Sequence, residues 1–273
     1  MAKQKRSSVA EQLPAIAERY ERDGVVVADI LDDVETVAHR RALDIGEAAL
    51  GPLHYMNKVH TVMRSPYDLA THPRVLDIVE ALIGHDILLY NVDYIIKEPG
   101  SDAFVSWHQD LTYWGLADDD AQVSMWLALE PATAESGCMS MVPGSHRGGR
   151  VVHVEQPSDA NVLLLGQQIV GVDPATARHY PLAAGQASFH HGWTVHESGP
   201  NRARHRRVGL NVQYLAPHNR QERDDAATML VRGVDNFGHF RTEQPPDVDF
   251  EPDAVARFRE LDQAMKQSFK TKR

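Results

Sequence analysis

His108 and Asp110 stand two residues apart in Phe104-Val105-Ser106-Trp107-His108-Gln109-Asp110, an apolar run with β-branched and aromatic side chains. On a strand, alternate residues share a face, so the spacing predicts an imidazole and a carboxylate reaching one metal ion from the same side of a sheet. His196, in Gly192-Trp193-Thr194-Val195-His196-Glu197-Ser198-Gly199, is the candidate for a third ligand brought in on another strand. Two imidazoles and one carboxylate on one face of an octahedral ion leave positions open, the ligand set of non-haem Fe(II) oxygen chemistry. The same donors also suit zinc in a structural or hydrolytic site.

Helices and strands around these residues must position them. Residues 1–86 read as a helical layer with one short strand. Val9, Leu13, Ile16, Ala17 and Tyr20 recur at helical spacing and stop at Gly24, with Ser7 or Ser8 placed to cap the start. A β-branched run covers residues 25–30, and a second helical pattern runs from Val34 to about Leu50. Residues 53–65 show no clear period, and Thr71-His72-Pro73 then opens a helix ended by Gly84.

The pattern changes at Ile87. Residues 87–97 are strand-like, and the turn signal Glu98-Pro99-Gly100-Ser101 before the His108 run predicts a hairpin between the two. Further short runs at 122–129, 137–142, 151–154, 186–190 and 207–215 are separated by Gly, Pro, Asn or Asp. The fold expected is mainly β with helices (α+β): a double-stranded β-helix, or jelly roll, over residues 87–216, buttressed by N-terminal and C-terminal helices. Residues 217–273 form a C-terminal extension with an amphipathic helix from Asp253 to Lys270 and a basic tail, and the whole of 1–273 is expected to be one domain.

Composition narrows the partners. Twenty-eight Lys and Arg against thirty-eight Asp and Glu give a formal charge of −10, which argues against a nucleic-acid binder. The single Cys138 allows no internal disulfide, the start MAKQKRSS has no apolar run behind it, and no stretch approaches the ~18 apolar residues of a membrane span. A cytoplasmic monomer or homodimer acting on a small molecule is expected.

The WHQD segment, the segment from Gly137-Cys138-Met139 to Pro143-Gly144-Ser145-His146, and His196 followed by Ser198-Gly199-Pro200-Asn201 and Arg206-Arg207 together resemble the phytanoyl-CoA dioxygenase family of Fe(II)/2-oxoglutarate oxygenases, over roughly residues 87–215. The resemblance implies that His108, Asp110 and His196 hold Fe(II), and that Arg207, eleven residues after His196, binds the distal carboxylate of 2-oxoglutarate. A planar guanidinium suits that task; Arg206 is the rival, and strand alternation lets only one of the two face inward. As in the related ectoine hydroxylase, Asn91, Trp114 and Ser198 would line the cosubstrate pocket, with Asn91 standing where many relatives carry a longer Gln. The implied reaction uses O2 and 2-oxoglutarate, releases succinate and CO2, and hydroxylates a small metabolite. Desaturation, cyclisation or epimerisation would use the same ligands, and a non-catalytic metal-binding jelly roll is the reading from another class. Related halogenases replace the carboxylate ligand with a small residue, so Asp110 implies oxygen chemistry.

Of fifteen histidines most are expected to be structural; His190 reads as a cavity wall, His191 as structural and His146 as a turn residue. Trp107, Trp126 and Trp193 read as core, Lys97 as a solvated strand-end charge, and Asp118-Asp119-Asp120 as a surface loop near the substrate. Residues 53–65 and 111–122 are expected to shape specificity. No basic, phosphate-gripping stretch speaks for a CoA thioester.

Overall fold

The computed structural model describes residues 9–116, 121–163, 166–221 and 226–270. Ser7, Ser8, Asp118-Asp119-Asp120 and the basic tail 271–273 lie outside the described residues.

Helix α1 (Val9–Asp23) buries Ile16 and Tyr20 and ends at Gly24, whose φ is +72° and where a Cβ would stand 2.4 Å from His146 Nδ1. Left-handed backbone and close approach both demand glycine there. Strand β1 (Val25–Asp29) follows, then α2 (Asp33–Leu50), opened by a capping box in which the Asp32 carboxylate accepts from the Val34 and Glu35 N–H groups while Glu35 accepts from Asp32 N–H. Two further helices are α3 (Arg64–Ala70) and α4 (Pro73–Ile83). The sequence pattern misses α3 because seven residues are too few for a helical period to register.

The remaining elements are β2 (Ile87–Lys97), β3 (Val105–His108), the one-turn helix α5 (Leu111–Trp114), β4 (Gln122–Ala128), β5 (Met139–Met141), β6 (Val154–Glu155), β7 (Gln167–Gln168), β8 (Arg178–Tyr180), β9 (Gln186–His190), β10 (His196–Ser198), β11 (Arg207–Leu215), β12 (Ala227–Arg232), β13 (Arg241–Thr242) and α6 (Pro252–Lys270). A seven-stranded sheet runs β1-β9-β4-β11-β2-β12-β13, and a four-stranded sheet runs β3-β10-β5-β8. Side chains from both, among them Val25, Ile95, Trp126 and Ala128 from the larger and Met139 and Met141 from the smaller, share one buried cluster. On the other face of the larger sheet, Leu89, Val92, Tyr94, Leu210, Val212 and Tyr214 pack with helical residues such as Ile16, Leu43, Val75 and Ile78. This is the expected jelly-roll core with a helical layer.

The expected hairpin does not form. All eleven residues of β2 are buried; β11 pairs along one edge as far as Lys97, and β12 pairs on the other with residues 87–89. Past Lys97 the chain crosses at Glu98-Pro99-Gly100-Ser101 into the smaller sheet, where β3 finds its partner in the distant β10 and not in β2. The core also draws on strands outside residues 87–216: β1 pairs with β9 at one edge and β12 with β2 near the other. Of the run 151–154 only Val154 is in a strand, and Val151 N–H donates to the Gln109 side chain instead. Among the described residues no helix is long and apolar enough to cross a membrane.

Candidate metal centre and adjoining cavities

Strand β3 stops at His108, and Asp110 has helical backbone (φ −58°, ψ −47°) at the start of α5. The two side chains therefore do not share a strand face, as their spacing suggests; the chain turning out of the sheet swings the carboxylate back toward the imidazole. His108 Nε2 lies 3.3 Å from Asp110 Oδ1. In the β10–β3 register His196 is paired with His108, which puts the rings 4.1 Å apart between centroids and His196 Nε2 3.7 Å from the same Oδ1. Donor atoms of all three residues lie within 4.8 Å of one another.

Both histidines are oriented through their other nitrogen. His108 Nδ1 is 2.8 Å from Ser106 O and 3.1 Å from His196 O, and His196 Nδ1 is 2.9 Å from Thr194 O. Carbonyls only accept, so the proton belongs on Nδ1 and the Nε2 lone pair is presented inward. Burial, joined by the His108 imidazole, holds His196 well below the usual histidine range, in the neutral form a metal needs. Asp110 is anchored too: its Oδ2 accepts from Ser124 Oγ at 2.6 Å and lies 3.2 Å from His190 Nε2, while Oδ1 faces the two imidazoles. Burial alone would raise this carboxyl, but His196, His108 and His190 outweigh it and hold it well below the ordinary carboxylate range. The donor set fits a divalent ion of the iron or zinc type.

Arg207 opens β11 and is 1 % exposed, whereas its neighbour Arg206 points outward to Glu47 and Glu98. Alternation thus turns Arg207 into the interior. Its Nη1 donates to Ser198 Oγ and Gly137 O, its Cζ lies 5.0 Å from the centroid of Trp126, and its buried Nε has no acceptor in the protein. Burial lowers Arg207 to about 10, which leaves it cationic at neutral pH. A small cavity of about 60 Å³ joins Arg207, Ser198 and Trp126 to His108, Asp110 and His196. A carboxylate there would meet an unspent, charged N–H donor.

Lys97 is not the solvated charge its place beside Pro99 suggests. It is 1 % exposed, directly across from Arg207 in the β2–β11 register, and donates to Ser198 O, Ser198 Oγ and Gly199 O. Burial and the adjacent Arg207 push its ammonium down to about 6. Its bonds fix the end of the strand that carries His196.

A second cavity, of about 190 Å³, meets the same His108 and Asp110 from another side and is lined by Tyr55, Asn57, Asn91, Asp93, Trp114, Gln213 and Lys266 among others. Asn91 and Trp114, expected beside the cosubstrate with Ser198, thus lie here, away from Arg207. The Asn91 carboxamide is occupied, accepting from Lys58 N–H and donating to Asn57 and Asp93. The Trp114 ring stacks on Tyr90 at 5.7 Å, and its carbonyl accepts from the Tyr90 hydroxyl. His190 borders the small cavity, and His191 is buried away from it, accepting from Trp193 N–H.

Several site residues carried no motif. Tyr55 lines both cavities from a left-handed backbone (φ 56°) inside the stretch that lacks a period. Trp126, read as core, also walls the small cavity. For Asn91, Asp93 and Lys97 a signal existed: polar residues at alternate positions of an otherwise apolar strand mark one polar face inside the protein.

The phytanoyl-CoA dioxygenase (PhyH) family profile matches residues 21–209, well over half of the chain, and takes in His108, Asp110, His196 and Arg207. The chain belongs to this family. A probable alpha-ketoglutarate-dependent hypophosphite dioxygenase of Stutzerimonas stutzeri is 28 % identical over 193 residues, covering 70 % of this chain and 61 % of the relative. The phytanoyl-CoA dioxygenase domain-containing protein 1 of Mus musculus is 32 % identical over 151 residues, 53 % of this chain and 51 % of that protein. The chain therefore spans between half and two thirds of the length of these relatives. Among solved structures, the non-heme monooxygenase ThoJ in its apo form superimposes with a TM-score of 0.83 at 28 % identity, over 93 % of this chain and 97 % of that one. Family membership gives the His108, Asp110 and His196 cluster its context: all three fall inside the matched segment.

Proposed function

We propose that this protein is an Fe(II)- and 2-oxoglutarate-dependent oxygenase that hydroxylates a small molecule and releases succinate and CO2. The observation that carries the reading is the single small cavity shared by two inward-facing imidazoles, one anchored carboxylate and a buried guanidinium with a free Nε–H. His108, Asp110 and His196 would hold the iron, which supplies O2 activation coupled to oxidative decarboxylation of 2-oxoglutarate.

The protein's own residues do the rest. Ser106 O and Thr194 O fix the ligand tautomers, and Ser124 keeps Asp110 Oδ1 turned to the metal side. Arg207, with Ser198 Oγ beside it, binds the distal carboxylate and sets the direction from which the cosubstrate enters the metal site. The walls of Trp126, Met139 and Ile95 exclude water around these groups. Asn91 and Trp114 border the substrate, not the cosubstrate, and so do Tyr55 and Asn57 from the 53–65 stretch.

The lone, buried Cys138 fits a reducing compartment such as the cytoplasm, with the chain acting as one domain in a monomer or homodimer, which gel filtration would distinguish. Anaerobic addition of Fe(II) and 2-oxoglutarate should give a weak visible charge-transfer band that Fe(II) alone does not. A folded protein without that band would overturn the assignment.

A further inference from the structure

The inner face of the β2–β11 pair is polarised along its length. At one end Lys97 faces Arg207, next come Ile95 and Gly209, then Asp93 opposite Asn211, and finally Asn91 opposite Gln213. The Arg207 end lies at the small cavity, and the Asp93 end lines the larger one, which also reaches His108 and Asp110.

Asp93 is 2 % exposed and makes no ion pair with any described residue. Its Oδ1 accepts from the Asn91 and Asn211 side chains, at 3.2 and 3.0 Å, while Oδ2 has no such partner. Other charges near it are already committed. Lys266, on the opposite wall, is paired with Asp262 at 2.8 Å, and Asp262 in turn holds the Asn57 amides; Asp110 belongs to the metal site. Gln213, two residues along β11 from Asn211, is 8 % exposed and its buried Oε1 also lacks a donor. Asp93 and Gln213 thus line one cavity, and neither Asp93 Oδ2 nor Gln213 Oε1 is bonded to a donor among the described residues, though the Tyr55 side chain and the Lys266 ammonium border the same space. A buried carboxylate without a counter-ion is costly, and burial pushes the Asp93 carboxyl up to about 7. Such a group is relieved by a ligand that brings both positive charge and N–H donors.

We infer that the larger cavity selects a substrate bearing a basic nitrogen, with Asp93 as its counter-ion and Gln213 Oε1 accepting a second N–H. This rests on the oxygenase reading of the same site. It makes Asp93 and Gln213 specificity residues that touch substrate and leaves the metal ligands free for chemistry. An ammonium or guanidinium held at Asp93 leaves the rest of the molecule to extend toward the face of His108 and Asp110, and the cavity size suits a small amine.

The test uses full-length protein loaded with Zn(II) in place of iron and with 2-oxoglutarate. Binding of small primary amines is compared with binding of the alcohols, amides and carboxylates of the same carbon skeleton by ligand-observed NMR. Amines should bind at least tenfold more tightly than their neutral counterparts, and Asp93→Asn, which keeps the Oδ1 acceptor, should remove that preference. Equal binding of amines and alcohols to the unmodified protein, or a preference for carboxylates, would overturn the inference whether or not the variant folds. An Asp93→Asn protein that melts normally and still prefers amines would overturn it as well. The anaerobic Fe(II)/2-oxoglutarate band, recorded in parallel, separates the two failures: band present with no amine preference rejects only this inference, and band absent rejects the oxygenase reading beneath it.

Discussion

The Arg207 guanidinium lies over the Trp126 indole, and Gly209 is the residue that gives the indole its space. Trp126 on β4 and Gly209 on β11 are so close that a Cβ on Gly209 would stand 2.0 Å from Trp126 Cζ2. Gly209→Ala should therefore force the indole off Arg207, costing about 1–3 kcal/mol as overpacking and weakening 2-oxoglutarate binding. A thermal melt together with a 2-oxoglutarate titration checks both effects, and a variant indistinguishable from the parent in both would contradict the packing described.

Arg207→Ala should raise the 2-oxoglutarate requirement at least tenfold, since it deletes the one buried guanidinium in the small cavity. Arg206→Ala should leave that requirement unchanged. Its pairs with Glu47 and Glu98 are partly exposed, and their loss should cost about 0–1 kcal/mol of stability. Succinate release measured against cosubstrate concentration decides between the two arginines.

His108→Ala and His196→Ala should each abolish tight binding of Co(II), read as loss of its visible d–d bands, with far-UV circular dichroism retained. Each removes one of three converging donors. If either variant binds Co(II) as the parent does, that histidine is not a ligand.

Ser124→Ala should weaken metal binding about 10–100-fold, because the Asp110 Oδ2 then loses its 2.6 Å donor and the carboxylate is freer to rotate. Ser188, buried on the neighbouring strand β9 and not bonded to Asp110, supplies the control: Ser188→Ala should leave metal affinity intact.

Asp93 gives a pH dependence of defined sign. Its carboxyl is raised to about 7 in the fold, from an ordinary value of 3.8, so between about pH 4 and 7 the native state binds more protons than the unfolded one. Stability then falls as pH rises through that window and is level above it. Asp93→Asn removes this slope, so the variant should gain on the parent from pH 4 to 7, by up to about 4 kcal/mol. Melting temperatures of both proteins across that range test it; a gap that shrinks with rising pH would have the wrong sign.

Much of the molecule was legible in its residues. β9 and β11 have the bounds that their apolar runs predict, 186–190 and 207–215, because buried strands leave a local mark in composition. His108, Asp110 and His196 could be named as candidate ligands, and their donor atoms do converge, because metal chemistry restricts the donor types and the motifs restrict their spacing. Alternation alone said that only one of Arg206 and Arg207 could face inward.

What the sequence could not decide were relations between segments distant in the chain. Lys97 looked like a solvated strand end because nothing local shows that Ser198 and Gly199 will supply its acceptors 101 and 102 positions away. The hairpin expected at Pro99 lost to a long-range pairing, that of β3 with β10, which nothing local to the turn reveals. Asp110 comes within reach of His108 and His196 by leaving the strand into α5, whose Trp114 stacks on the distant Tyr90. The division of the site into an Arg207 cavity and an Asp93 cavity also exists only once β2 and β11 are laid in register. Residue types determined which chemistry this protein can perform. Tertiary packing determined which charges are buried, which donors remain unspent, and so where each reactant can sit.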